Sequence, residues 1–132
     1  TFTDTKHVFY TGTIGYWMNH PEKWPTAIIA PDDPFPWTTG ALAGKSYMEI
    51  LWTNPEGDAS IQLARQYIGA KLNQLVFGVP ADIAAKILDA EAWLALWPAG
   101  SNPPKSSPER AAIVALAAEL EAYNRSGLPP PN

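Results

Sequence analysis

Gly12-Thr13-Ile14-Gly15-Tyr16-Trp17-Met18-Asn19-His20-Pro21-Glu22-Lys23-Trp24-Pro25 crowds three large aromatics, a histidine, two glycines and two prolines into one short run. Rings at this density are costly to leave in water, since each buries roughly 150 to 250 Å² when it finds a core. Thr13 is placed to cap the amides of a helical turn from about Ile14 to His20, and Pro21 cannot donate a hydrogen bond to continue it. Such a turn sets Tyr16 and His20 four apart on one face and leaves Trp17 and Trp24 to meet another body. The expectation is glue: Gly15, Tyr16, Trp17, Asn19, His20, Pro21 and Trp24 form a structural core that locks an irregular prolyl segment onto helices.

Downstream, Pro31, Pro34 and Pro36 forbid helix and force a long ordered loop anchored by Phe35 and Trp37. Ile28 and Ile29 allow a brief strand, and Gly40 with Gly44 a turn. Ser46 caps a short helix through about Trp52. Asp58 caps the longest helix, about Ala59 to Phe77, closed by Gly78. Its apolar positions Ile61, Ala64, Ile68, Leu72 and Leu75 follow the spacing of a buried stripe, which Leu63, Tyr67 and Val76 widen. Pro80 opens a helix to about Trp97 with Ile83, Ile87, Ala90, Leu94 and Trp97 inward. After a Gly, Ser, Asn and Pro linker over 99–107, Ser107-Pro108-Glu109 starts the last helix, whose stripe is Ile113, Leu116, Leu120 and Tyr123. The expected architecture is all-α: a compact bundle of about three main helices plus short N-terminal ones.

Upstream, residues 1–11 alternate loosely and read as an extended arm. An isolated strand must lie on the body, hang free or pair with another chain, which makes Phe2, Val8, Phe9 and Tyr10 candidates for self-association. Residues 12–127 form a single helical domain, and 128–132 a Pro-rich tail in polyproline II. Thr1 in place of Met reads most simply as an N-terminus processed after export.

Among side chains that carry chemistry, His20 suits acid–base work near neutral pH. Its nearest carboxylate is Glu22, but Pro21 intervenes and no relay is visible, so capping of the last helical carbonyls is the expected role. No catalytic residue is assigned. Two histidines and no cysteine show no zinc-ligand spacing, and Asp32, Asp33, Asn54, Glu56 and Asp58 lack the order of a calcium loop. Neither a metal nor a cofactor is expected. There is no nucleophile elbow or phosphate loop. Trp37 and Trp52 are candidates for stacking sugar rings, and Asn124-Arg125-Ser126 matches the glycosylation sequon.

Composition narrows the partners. A hydrophobic share of 46% against 17% charged leaves few solvated faces, so a partner covering some surface is one outcome. A net charge of −4 and scattered Lys and Arg argue against nucleic acid. No apolar run approaches a membrane span, and no signal peptide is visible.

The opening run resembles the signature of a domain family found in secreted and surface-attached bacterial proteins, usually written GYWKNHP. The likeness continues through Gly57-Asp58-Ala59, Leu63-Ala64, Ile68-Gly69-Ala70-Lys71-Leu72-Asn73, Ala90-Glu91-Ala92-Trp93-Leu94 and Leu120-Glu121-Ala122-Tyr123-Asn124 to Gly127. Met18 stands where that family usually has lysine, and cysteines often found ahead of the motif are absent. The resemblance implies an extracellular or cell-surface domain and names no reaction. The function expected is therefore a non-enzymatic structural one, in a homo-oligomer or head-to-tail polymer forming a surface fibre. The alternative is a carbohydrate-binding or adhesion module that meets glycans through exposed Trp and Tyr.

Overall fold

A computed structural model describes residues 9–131, and its regular elements are helical throughout: α1 (Ile14–Asn19), α2 (Tyr47–Leu51), α3 (Ala59–Phe77), α4 (Ala81–Leu96) and α5 (Pro108–Asn124). The all-α expectation holds, and each helix begins for a local reason. Thr13 accepts from the Tyr16 amide at α1. Ser46 and Glu49 close a reciprocal capping box on α2, and the bond from the Ser46 backbone N–H first, with the Ser46 side chain second, holds the Glu49 carboxyl below the usual range. Asp58 caps α3 through the Ser60 and Ile61 amides, and Ser107 caps α5 with Pro108 in its first turn. Pro80 precedes α4 as its cap, outside the helix it was expected to open. Gly78 ends α3 at φ +79°, a conformation costly for any residue with a Cβ.

With 19 residues α3 is the longest helix, and α1, α2, α4 and α5 all pack on it. Its buried stripe holds Ile61, Leu63, Ala64, Tyr67, Ile68 and Leu72, faced by Ile83, Ile87, Ala90 and Leu94 of α4 and Ile113, Leu116 and Leu120 of α5. Alanine and glycine at Ala64, Gly69, Ala70, Ala90 and Ala117 let these axes approach closely. The ends of the predicted stripes depart from the pattern: Leu75, Trp97 and Tyr123 are only partly buried and Val76 is exposed.

The prolyl segment is ordered by donated amides instead of periodic structure. Phe35 N–H donates to the Lys45 carbonyl, Tyr47 N–H to Asp33 and Met48 N–H to Pro31. Trp37 and Thr39 exchange bonds with the two sides of Ala99, tying the loop to the end of α4. Ile28 and Ile29 form a turn on the Pro25 carbonyl, not a strand, and only Ile29 enters the core. Phe35 is buried and meets Trp37, Tyr47 and Tyr67 edge-on at 5.5, 5.1 and 6.2 Å.

The two ends of the described chain lie side by side. Tyr10 and Leu128 form a parallel bridge, Thr11 N–H donates to the Leu128 carbonyl, and Gly127 N–H donates to Thr11 Oγ1. Thr11 is buried, so the body runs at least from Tyr10 to Leu128, wider than the boundaries at 12 and 127. The arm's last residues are used within the chain: Tyr10 packs on Phe77 at 5.6 Å, and Phe9 lies against Gly78. Phe2 and Val8 lie outside the described residues.

Candidate functional site

The glycines and asparagines of the opening and closing motifs meet in one buried knot. Gly12 N–H donates to Asn73 Oδ1 at 2.7 Å, and Asn73 Nδ2 donates back to the Gly12 carbonyl at 3.0 Å. The same Nδ2 reaches Asn124 Oδ1 at 3.0 Å, and Asn124 Nδ2 donates to the backbone and side-chain oxygens of Gln66, both at 3.1 Å. Asn73 is fully buried and Asn124 is 1% exposed, so each amide is matched where water is excluded. A Cβ on Gly12 would stand 2.6 Å from the Tyr16 ring, and one on Gly69 3.0 Å from Asn124 Nδ2. Both glycines are there because backbone must touch side chain.

This corrects the sequon. Asn124 has no room for a sugar: its nitrogen is committed twice to Gln66 and sealed beneath Gly69.

Trp17 and Trp24 are buried as expected, joined by a hydrogen bond from Trp24 Nε1 to the Trp17 carbonyl at 2.9 Å. Trp17 also meets Phe77 at 6.0 Å and Tyr16 edge-on at 5.0 Å. Among the described residues its own N–H has no hydrogen-bond partner, a cost of about 1 to 3 kcal/mol that the ring's full burial must exceed. Asn19 donates to the Gly15 carbonyl one turn back.

His20 departs from expectation. Pro21–Lys23 wind into a 3₁₀ turn that brings Glu22 round, and His20 Nδ1 lies 3.0 Å from Glu22 Oε2. Among the described residues the imidazole caps no carbonyl, and it is not buried glue; its side chain is 43% exposed, with one face on Tyr16 at 4.6 Å. The bond from His20 is the main cause that holds the Glu22 carboxyl below its ordinary range. Among the described residues no three His, Asp or Glu side chains gather as a metal would require.

A second polar cluster spans α3 and α4. Tyr67 O–H donates to Glu91 Oε2 at 2.7 Å, and Lys71 Nζ stands 3.7 Å from the same oxygen. Burial first, and the bond to Glu91 second, push the Tyr67 hydroxyl well above its usual range, so it stays a donor. Trp37 closes over Tyr67 at 5.6 Å and is half-buried, which removes it as a free stacking surface. Trp52 is different: it ends α2 with 61% of its surface exposed.

One groove was not foreseen. Gln62, Arg65 and Gln66 of α3 and Val114, Ala117 and Glu121 of α5 line a recess of about 280 Å³. Arg65 Nε is anchored on the Leu51 carbonyl at 2.9 Å, and burial lowers its pKa. Among the described residues no carboxylate pairs with it. The available signal was the cluster of three long polar residues at 62, 65 and 66 within one turn of a helix whose other face is apolar.

No family model, curated protein or solved structure matches the chain. Fold and sites together define an all-α, aromatic-rich domain, and no helix among the described residues is long and apolar enough to cross a membrane.

Proposed function

We propose that the protein is a non-enzymatic, self-associating structural subunit of an extracellular or cell-surface polymer. The observation that carries this is the outer face of α4. Ala85, Leu88, Ala92 and Leu96 recur at helical spacing on the exposed side, with Leu88 and Leu96 at 65% and 73% exposure, although the core is complete without them. Ala111, Val114, Ala115, Ala118 and Ala122 make a flatter apolar face on α5. Apolar side chains repeated along exposed helix faces, on a domain with so little charge, support the association reading. A second copy is the occupant, and two different faces permit growth without closure. The likeness of Gly12–Pro25 to the GYWKNHP domains is the basis for the extracellular assignment, which surface labelling of intact cells tests.

Sedimentation velocity and electron microscopy of the purified protein test self-association. Assemblies should grow with concentration and be lost in the Leu88→Glu, Leu96→Glu variant while its helical circular dichroism persists. A wild-type protein that stays monomeric at its highest soluble concentration contradicts the proposal.

A second reading, a carbohydrate-binding or adhesion module, is favoured by Trp52 alone. A ring this exposed at a helix end gains nothing for the fold and offers a flat apolar surface.

A further inference from the structure

We infer that the α3/α5 groove, with Trp52, is a subsite for an acidic sugar, taking the carboxylate of a uronic acid residue on Arg65. The inference rests on the carbohydrate reading, and because Val114 and Ala118 belong both to this groove and to the apolar face of α5, a copy seated on that face would cover the subsite.

Arg65 is the reason for the acid. Its Nε is spent on the Leu51 carbonyl, which fixes the planar fork, while both terminal nitrogens are left without a carboxylate among the described residues. A partly desolvated guanidinium prefers a bidentate oxyanion to water, because the cation is weakly hydrated and the fork matches a carboxylate. Gln66 Oε1 already accepts from Asn124, and among the described residues neither the Gln66 Nε2 donor nor the Gln62 side-chain amide has a partner. Donors from three successive positions of one helical face therefore line a single recess.

Glu121 is the reason for the hydroxyls. It lines the same groove and is held by Arg125 at 3.8 Å. A ligand acidic throughout, such as a glutamate-rich peptide, would set like charges together there, whereas sugar hydroxyls donate to that carboxylate. The groove volume of about 280 Å³ lies at the small end of ligand cavities, roughly 300 to 1,000 Å³, and holds one ring and not a longer chain. Val114 and Ala117 supply an apolar wall for the ring carbons.

The stacking surface is assigned to Trp52, which lies outside the recess lining, one residue beyond the anchor. The carbonyl that anchors Arg65 belongs to Leu51, so the exposed indole is carried by the very next residue of the chain. Guanidinium and indole are thereby held by adjacent peptide units.

Calorimetric titration of the intact protein with a galacturonate trisaccharide, a galactose trisaccharide and a triglutamate peptide tests the assignment. The galacturonate oligomer should bind, with the other two weaker by about tenfold or more, as loss of one charge-assisted pair predicts. Arg65→Gln and Trp52→Ala should each weaken galacturonate binding by a similar factor. Since Arg65 also holds Leu51, Gln62→Glu provides the second variant: it adds a negative charge to the groove, and should abolish binding with an unchanged melting temperature. Unchanged binding in Gln62→Glu overturns the inference, as does equal binding of the peptide. Equal binding of the galactose oligomer overturns it while leaving the carbohydrate reading standing, and binding of neither sugar overturns both.

Discussion

Asn73 holds the backbone of Gly12, 61 residues away in sequence, by two hydrogen bonds of 2.7 and 3.0 Å, so that one side-chain amide replaces the neighbouring strand that an extended segment would otherwise need. The consequence reaches beyond one contact. An extended segment entering a helical body has amide and carbonyl groups that no helix satisfies, and burying one unpaired costs about 1 to 3 kcal/mol. Asn73 meets both at Gly12, Asn124 orients Asn73, and Gln66 orients Asn124. Residues from the start, middle and end of the chain thus share one network.

The glycines of this region separate space from conformation. Gly12→Ala forces a methyl to within 2.6 Å of Tyr16 and 2.8 Å of Trp17 Nε1 in a packed site, and should cost about 2 to 4 kcal/mol. Gly57→Ala meets no atom within 4 Å but sits at φ +87°, so it should cost only about 1 to 2 kcal/mol. Urea denaturation of both variants checks the order; a Gly57 variant more damaging than the Gly12 variant would contradict it.

Stability should fall at high pH. Burial raises the Tyr67 pKa above that of the unfolded chain, about 10, so the folded state keeps a proton that the unfolded state gives up. The contribution is fully present below about pH 10 and is lost as pH rises past it. Tyr16, Tyr47 and Tyr123 shift in the same direction. Tyr67→Phe should lower the neutral plateau by about 1 kcal/mol, through the lost bond to Glu91, and make the alkaline decline shallower. Urea midpoints from pH 7 to 11 read both; an equally steep decline in the variant would place the titration elsewhere.

Expression in a host that modifies sequons should leave Asn124 bare, since a folded acceptor cannot present a nitrogen bound to Gln66. Intact mass spectrometry of the folded, secreted protein decides it. A glycan on a protein that retains its native melting temperature would show that the knot opens.

The helices were legible because the signals for them are local. Asp58, Gly78, Ser107 and Pro108 mark boundaries by their own chemistry, and α3 and α5 fall where these residues place them. The burial of Trp17, Trp24 and Phe35 followed from their cost in water. What was hidden depends on residues distant in sequence. Asn73 and Asn124 carry no local signal of their role, and nothing near either one announces Gly12 as a partner in the knot. Asn124 was worse than silent, since its sequon pointed outward. His20 and Glu22 failed differently: the intervening proline, taken as an obstacle, turns the chain tightly enough to bring them together. The Arg65 groove exists only where α3 and α5 meet, and neither helix alone contains it.

The most direct test of this knot is the unfolding free energy of Asn73→Ala. Truncation strands the Gly12 amide, the Gly12 carbonyl and Asn124 Oδ1 together in a dry interior, and the predicted loss is about 3 to 5 kcal/mol by urea denaturation, with faster hydrogen exchange at the Gly12 amide. A loss below about 1 kcal/mol with Gly12 still protected would mean that the opening segment is held by its tryptophans alone, and the knot would have no structural role.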